Sequence, residues 1–537
     1  MSQSVSKTAG EAGNVAGAGP ASASSLLPEV GASTVIVPAV GLRTLESLAF
    51  EPVLGDLPRE FHTRLAPTPL SGVHLASFNP EAARLIDLDP AQAARPEFVA
   101  YLNGDRPWPG TDPLAMVYAG HQFGHFVPQL GDGRAISLGQ VRNARGELWD
   151  LQMKGAGRTP YSRFADGRAV LRSTVREYLC SEAMHALGVP TTRALAMIGS
   201  SERVVRETVE TGALVLRMAP SHIRFGSFEY FFHRGQHELV RVLADHVIDY
   251  HHPEFSGSGG AGPRYAEWFG EIVERTARMI AHWQSVGFAH GVMNTDNMSI
   301  HGITIDYGPF GFLDAFDAGH ICNHSDEGGR YAFDNQPGIG YWNLACLAQA
   351  LTPLIEVDTL KAMLARYEAA YGEQFLALMR AKLGLFEAHD DDLDLLTTLF
   401  EQLQAGRADY TIFFRRLGDL DEVRDPAATL ADAAPVRDLF LDRARFDLWL
   451  ARYRARRAIE SGDAGERRAR MRQANPKFVL RNYLAQAAIA AAQQGDYSDV
   501  DRLLWVLQRP FDEHPEHERY AALPPDWASG IEVSCSS

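Results

Sequence analysis

The stretch His290-Gly291-Val292-Met293-Asn294-Thr295-Asp296-Asn297, followed by Ile305-Asp306-Tyr307-Gly308, decides how this chain is read. It gathers three hard oxygen donors beside one short connection: the carboxylates of Asp296 and Asp306 and the carboxamide of Asn297. Such oxygens suit Mg²⁺, above all an ion already carried by a nucleotide triphosphate. Residues 298–306 read as a strand-turn-strand segment, a stiff support that would hold the donors together. The ordinary alternative is a pair of Asx turns, which Asp296-Asn297 and Asp306-Tyr307-Gly308 both suit.

Upstream, Gly131-Asp132-Gly133-Arg134 opens a hairpin, with strands expected over 135–141 and 148–154. In the second strand Trp149, Leu151 and Met153 alternate with Asp150, Gln152 and Lys154, so Lys154 lies opposite the apolar stripe. Leu171, Val175, Leu179 and Ala183 recur at helical spacing over 170–187, closed by Gly188 and Pro190, and Glu177 lies off that stripe. Strands are expected at 203–207 and 213–219, and helical periodicity runs over 229–250 and 265–286. Between those two helical stretches, residues 256–262 form a Gly-Ser loop.

Taken singly, the Gly-Asp-Gly triplet is a plain turn, Lys154 an exposed strand lysine and Glu177 a solvated charge. Their order is informative: Gly-rich hairpin, strand Lys, helix Glu, loop Asn, hairpin Asp is the order a bilobal protein-kinase-like fold requires. One part departs from it, because Val292 stands where a kinase loop carries its catalytic Asp. In such a site the Gly-rich turn lets phosphates approach, Lys154 neutralises them, Glu177 orients Lys154, and Asn297 with Asp306 holds the metal.

The chain has 537 residues, 46% of them hydrophobic, enough for a large core or several smaller ones. The expected class is α+β, with a strand-rich N-lobe, a helical C-lobe and a helical C-terminal extension. The expected divisions are 1–45 (low-complexity, Ala-, Gly- and Ser-rich and without stable structure), 46–225, 226–345 and 346–537. Residues 48–113, punctuated by proline and with a helix over 80–86, read as a leader wrapped over the first lobe. A formal charge of −16 argues against a broad phosphate-binding surface, so nucleic acid is not an expected partner. No apolar run is long enough to span a bilayer, and the four cysteines are too few for a disulfide framework, which suits the cytoplasm.

Longer motifs add a resemblance. Tyr118-Ala119-Gly120-His121-Gln122-Phe123-Gly124, Gln129-Leu130-Gly131-Asp132-Gly133-Arg134-Ala135, Gln152-Met153-Lys154-Gly155-Ala156-Gly157, Thr159-Pro160-Tyr161-Ser162-Arg163, Asp166-Gly167-Arg168 and the His290 to Asn297 run resemble the selenoprotein O family of protein adenylyltransferases. The resemblance runs from about Leu48 to the C-terminus. It implies a kinase-like fold with the nucleotide reversed, so that AMP or UMP from ATP or UTP passes to a Ser, Thr or Tyr hydroxyl of a protein. It implies nucleotide contacts from Gly131, Gly133, Arg134, Lys154, Asp166, Gly167, Arg217, Arg224 and Asp306. It also makes Asp296 the proton acceptor and Asn297 and Asp306 the ligands of Mg²⁺ or Mn²⁺. Some members carry selenocysteine near the C-terminus, where this chain has Cys535; an exposed thiol there would be open to redox pairing, with Cys322 as its candidate partner.

Two other readings compete. A silent pseudokinase scaffold would explain Val292, although Asn297 and Asp306 are retained. A small-molecule kinase would need an Asp where Val292 stands.

Overall fold

The computed structural model describes residues 41–256, 261–420, 433–461 and 463–533. The low-complexity stretch up to residue 40, the middle of the Gly-Ser loop and Cys535 lie outside them. Arg43 and Leu45, inside the stretch expected to lack structure, are tied down: the Arg43 amide donates to Asp87 O, and Leu45 is buried.

The architecture is mixed α/β, built on a nine-stranded antiparallel sheet. In chain order its strands are β1 (Phe50–Glu51), β2 (His62–Arg64), β3 (His74–Phe78) and β4 (Leu114–Met116), followed, after a separate hairpin β5 (Gly120–Gln122) and β6 (His125–Val127), by β7 (Ala135–Arg142), β8 (Leu148–Lys154), β9 (Ala169–Val170), β10 (Arg193–Val205) and β11 (Val209–Ala219). The spatial order is β2-β4-β7-β8-β11-β10-β3, with β1 beside β7 and β9 beside β11. The β7–β8 hairpin forms where the alternation placed it, and its turn closes as Asn143 Oδ1 accepts from the amides of Arg145 and Glu147.

Register explains how this sheet makes a site. Gln152 lies opposite Arg217, and Met153 opposite Leu216. Cross-strand partners share a face. One face therefore carries Leu151, Met153, Leu214, Leu216 and Met218, which pack with Phe98, Leu102 and Trp108 of the leader. The other carries Asp150, Gln152, Lys154 and Arg217, all buried. The leader is thus not merely wrapped over the sheet: it supplies β1 to β3 and, through α1 (Pro80–Arg84) and α2 (Pro96–Asn103), covers the apolar face. Helix α3 (Leu171–Ala186) buries Val175, Leu179 and Ala183 as its periodicity requires. Glu177, expected off the stripe, is buried too.

Strand β10 begins ten residues before the expected strand at 203, because Ala194 to Gly199 is apolar and buried throughout and so shows no alternation. The expected helix over 229–250 is two, α4 (Phe225–Phe232) and α5 (His237–His251), separated at Gly235, whose φ is +68°. Helix α6 (Ala261–Val286) buries Trp268, Ile272, Ile280 and Trp283 and leads into the His290 to Asn297 run. The short pair β12 (Phe288–Ala289) and β13 (Gly311–Phe312) flanks that motif.

The strand-turn-strand expected over 298–306 is corrected. Only isolated bridges form, Met298 with Thr304, Ser299 with Arg224 and Thr304 with Thr191. Neighbouring segments take the backbone groups instead: the Thr304 amide donates to Pro190 O, and Ile305 O accepts from His290 Nε2. Among the described residues from Gln336 to Leu507 α-helices dominate, as expected, from α7 (Gln336–Ala350) to a last α-helix at Ser498–Leu507. Part of this region forms a second core around Phe413, Phe414, Phe446 and Trp449.

Candidate active site

A cavity of about 670 Å³ is lined by Gly131, Gly133, Arg134, Lys154, Asp166, Gly167, Arg217, Arg224, Asp296, Asn297 and Asp306. Every nucleotide, metal and base residue expected from the sequence therefore borders one space. Glu177 stands behind it, and Cys322 lies close by, its Sγ 2.7 Å from where a Cβ on Gly291 would fall.

The polar face of β8 and β11 supplies the cationic wall. Lys154 Nζ lies 2.5 Å from Glu177 Oε2, the pairing expected between strand and helix. Arg217 Nη1 donates to Glu177 Oε1 at 2.9 Å, and its Nε and Nη2 donate to Gln152 Oε1. Arg224 precedes α4 and stacks over the Tyr118 ring, 4.5 Å from its centroid. Three cations meet on Asp306: Arg217 at 2.5 Å and Lys154 at 3.4 Å on Oδ1, and Arg224 at 2.6 Å on Oδ2. Burial pushes the Asp306 carboxyl up, but these neighbours outweigh it and hold it well below the usual carboxylate range. The Lys154 pKa is lowered as well, but there the shift disfavours the charged form: burial lowers it against the support of Glu177. Asp306 has φ +57°, an uncommon conformation for a non-glycine residue, held by the His290 to Ile305 bond beside it.

Asp296 is built differently. It sits in a single 3-10 turn, Thr295–Asn297, and its Oδ2 accepts from Gln122 Nε2 at 3.1 Å. Its Oδ1 is buried without a hydrogen-bond partner. Burial raises this carboxyl to about 7, with Gln122 and Arg224 opposing. One carboxylate is thus locked as an anion, and the other is poised to exchange a proton near neutrality. Asn297 Nδ2 donates to Val292 O at 3.0 Å, so the residue standing at the kinase base position serves the loop through its backbone.

The glycine-rich entry departs from the expected picture. Gly131 has φ +135°, and a Cβ there would fall 2.5 Å from the Tyr161 ring. At Gly133 a Cβ would lie 3.0 Å from Tyr161 O. Ser162 Oγ and Thr159 Oγ1 donate to the carbonyls of Gly133 and Asp132. These glycines admit the 159–162 segment as well as bordering the cavity. Asp166 is gripped by Arg206 through two bonds of 2.8 and 2.9 Å. Arg206, Tyr118, Asp132 and Gln122 also line the cavity without having been singled out. Gln122 and Tyr118 stood in a quoted motif, but only the fold shows what they touch; Arg206 left no local signal.

The donor set suits a hard divalent cation: Asp306 and Asp296 offer carboxylates and Asn297 a carboxamide oxygen at one cavity, with an orphaned buried oxygen on Asp296. Buried cations for phosphate, hard oxygens for a metal and a carboxylate of raised pKa make up the equipment of a phosphoryl or nucleotidyl transfer site.

Comparison with known proteins agrees. A family model described as "Protein adenylyltransferase SelO" matches residues 44–508. The chain is 58% identical over 496 residues to the protein nucleotidyltransferase YdiU of Myxococcus xanthus, covering 92% of this chain and all of that protein. It is 56% identical over 497 residues to YdiU of Thiobacillus denitrificans and 52% identical over 496 residues to that of Pseudomonas entomophila, with the same coverage of each. The chain belongs to the SelO family of protein adenylyltransferases and is an enzyme of the nucleotidyltransferase type. That class works with a nucleotide and a protein target.

Proposed function

We propose that this enzyme transfers AMP from ATP to Ser, Thr or Tyr hydroxyls of protein substrates in the cytoplasm, on a bilobal kinase-like frame in which the nucleotide lies reversed. UTP is the alternative donor. The observation that carries the reading is the division of labour between two buried carboxylates: Asp306 pinned by three cations, Asp296 separately held with a pKa of about 7.

In the reaction the acceptor oxygen attacks the α-phosphorus, the bond from that phosphorus to the bridging oxygen of the β-phosphate breaks, and pyrophosphate leaves. The hydroxyl proton passes to the Asp296 carboxylate. Arg217 and Arg224 present planar donors to the phosphates, and Lys154, oriented by Glu177, balances their charge. An incoming triphosphate competes with Asp306 for these cations, and that exchange frees the carboxylate. Gly131, Gly133, Arg134, Asp166 and Gly167 border the nucleotide. Asn297 and Asp306 would hold Mg²⁺ or Mn²⁺, which when bound offsets charge on the phosphate oxygens. Positioning and charge supply most of the rate, because such transfers leave the protein little covalent work.

The test is mass spectrometry of protein substrate and enzyme after incubation with ATP and Mg²⁺ or Mn²⁺. An adenylyl adduct is expected. A phosphoryl adduct would indicate a kinase, and nucleotide binding without any adduct a scaffold. A redox pairing of Cys322 with Cys535 is a separate proposal, resting on the family resemblance, and peptide mapping of oxidised and reduced protein decides it.

A further inference from the structure

The β5–β6 hairpin lies outside the large sheet, yet it meets the catalytic loop residue by residue. The His121 amide donates to Thr295 Oγ1 at 2.7 Å, Gln122 Nε2 to Asp296 Oδ2 at 3.1 Å, and the Phe123 amide to Asn294 Oδ1 at 3.3 Å. Three consecutive hairpin residues thus hold three residues of the loop that carries Asp296. Glu229 of α4 braces the joint, accepting from Thr295 Oγ1 at 2.6 Å and lying 2.8 Å from His121 Nδ1.

Two further observations show how tightly the hairpin is fitted. A Cβ on Gly120 would lie 2.6 Å from Asp296 Oδ1 and 2.9 Å from Asp296 Cβ, so β5 touches the carboxylate from the side that Gln122 does not cover. The turn between the strands is Phe123-Gly124, with φ of +50° and +84°. Asn or Gly usually takes the first of these positions, and a bulky side chain there is strained by about 1–2 kcal/mol. The Phe123 amide offsets that strain with its bonds to Asn294 and to the Tyr331 hydroxyl, the latter at 2.9 Å.

We propose that the β5–β6 hairpin sets the working geometry of Asp296, with Gln122 as the positioning residue that fixes the rotation of its carboxylate. This rests on Asp296 being the proton acceptor. Among the described residues the Gln122 bond is the one side-chain hydrogen bond that the carboxylate accepts, and its other oxygen lies against the Gly120 backbone, where a Cβ would clash with it. Removing the donor leaves the carboxylate free to turn within its slot, and a misplacement of about 1 Å at a reacting group lowers the rate about 100-fold. The phosphate-facing cations Lys154, Arg217 and Arg224 are untouched by the change, so the loss should fall mainly on kcat.

The experiment compares Gln122→Met, Gln122→Glu, Asp296→Asn and the double variant Gln122→Met/Asp296→Asn in the full-length chain. It reads kcat for AMP transfer to a protein acceptor, and ATP affinity separately by calorimetry. Gln122→Met keeps length without a donor; Gln122→Glu keeps shape and sets a like charge against Asp296. Expected are a fall in kcat of about 10- to 100-fold for Gln122→Met and a larger fall for Gln122→Glu, each exceeding any change in ATP affinity. The double variant should be no slower than Asp296→Asn alone, because the residue being positioned is already disabled. Parent-like kcat in both Gln122 variants beside an inactive Asp296→Asn would overturn the positioning role and leave the base assignment standing. Additive losses in the double variant would overturn it as well. Parent-like kcat in Asp296→Asn would overturn the base assignment, and the positioning role with it.

Discussion

Asp306 does two jobs, and they can be separated. It is expected to ligate the metal, and in this structure it is the meeting point of Arg217, Arg224 and Lys154. Asp306→Ala should therefore abolish transfer and also destabilise the fold, by about 3–5 kcal/mol, because buried cations lose their counter-charge. Urea unfolding checks this, and added ATP should restore part of the loss as its phosphates replace the carboxylate. Asp296 makes the opposite case. Burial raises its carboxyl to about 7, so below that pH it is protonated and unable to accept the hydroxyl proton. The rate should rise about tenfold per pH unit on the acid side and level off above about pH 7. A rate flat from pH 5 to 8 would exclude Asp296 as the group that titrates. Local signals in the sequence revealed both aspartates. They could not reveal that one is locked and the other poised, because that follows from Arg217, Arg224 and Gln122, which lie 89, 82 and 174 residues away from the groups they touch.

Among elements, β8 was the most legible. Its alternation placed Lys154 on the polar side, and the register with β11 turned that side into the cationic wall. Helix α3 was legible by its apolar stripe, yet the same stripe hid Glu177, which is buried by contact with Lys154 and Arg217 and not by hydrophobicity. The 298–306 segment was misread, since its strand-like composition serves one internal bridge, Met298 with Thr304, and bridges to two neighbours, Arg224 and Thr191, with no continuous ladder. The glycine-rich entry was read for closeness to phosphate, while its packing under Tyr161 depends on a loop thirty residues on. Gly131→Ala should accordingly unseat the 159–162 segment. We expect a loss of more than about 1 kcal/mol from the backbone strain at φ +135° alone, together with weakened ATP binding, both readable by thermal shift with and without nucleotide.

At the level of the whole molecule, the antiparallel sheet and the succession of helices agree with the strand-rich-then-helical order seen in the sequence. No helix among the described residues is long and apolar enough to cross a membrane. The packing of α5 against the segment that follows the catalytic loop adds an acid sensitivity. His251 and His252 lie against His301, with ring centroids 4.8 and 5.7 Å apart. Burial lowers His246 to about 4 and His251 to about 3, and holds His301 well below its usual value. Because the folded-state values lie below the unfolded one, the native state is favoured by neutral imidazoles above about pH 6.5 and loses that advantage as pH falls. Each such histidine should remove about 1.4 kcal/mol per pH unit between about pH 6.5 and its folded value. Denaturation midpoints at pH 7 and pH 5 check this, and His246→Gln should make the dependence shallower.

Which phosphorus is attacked separates an adenylyltransferase from a kinase. Parallel reactions with ATP labelled at the α-phosphorus and at the γ-phosphorus, each with protein acceptor and Mg²⁺ or Mn²⁺, decide it directly. The α-label should be bound covalently to protein and the γ-label recovered only in pyrophosphate. γ-label bound to protein, or α-label that never becomes covalently attached, would contradict AMP transfer.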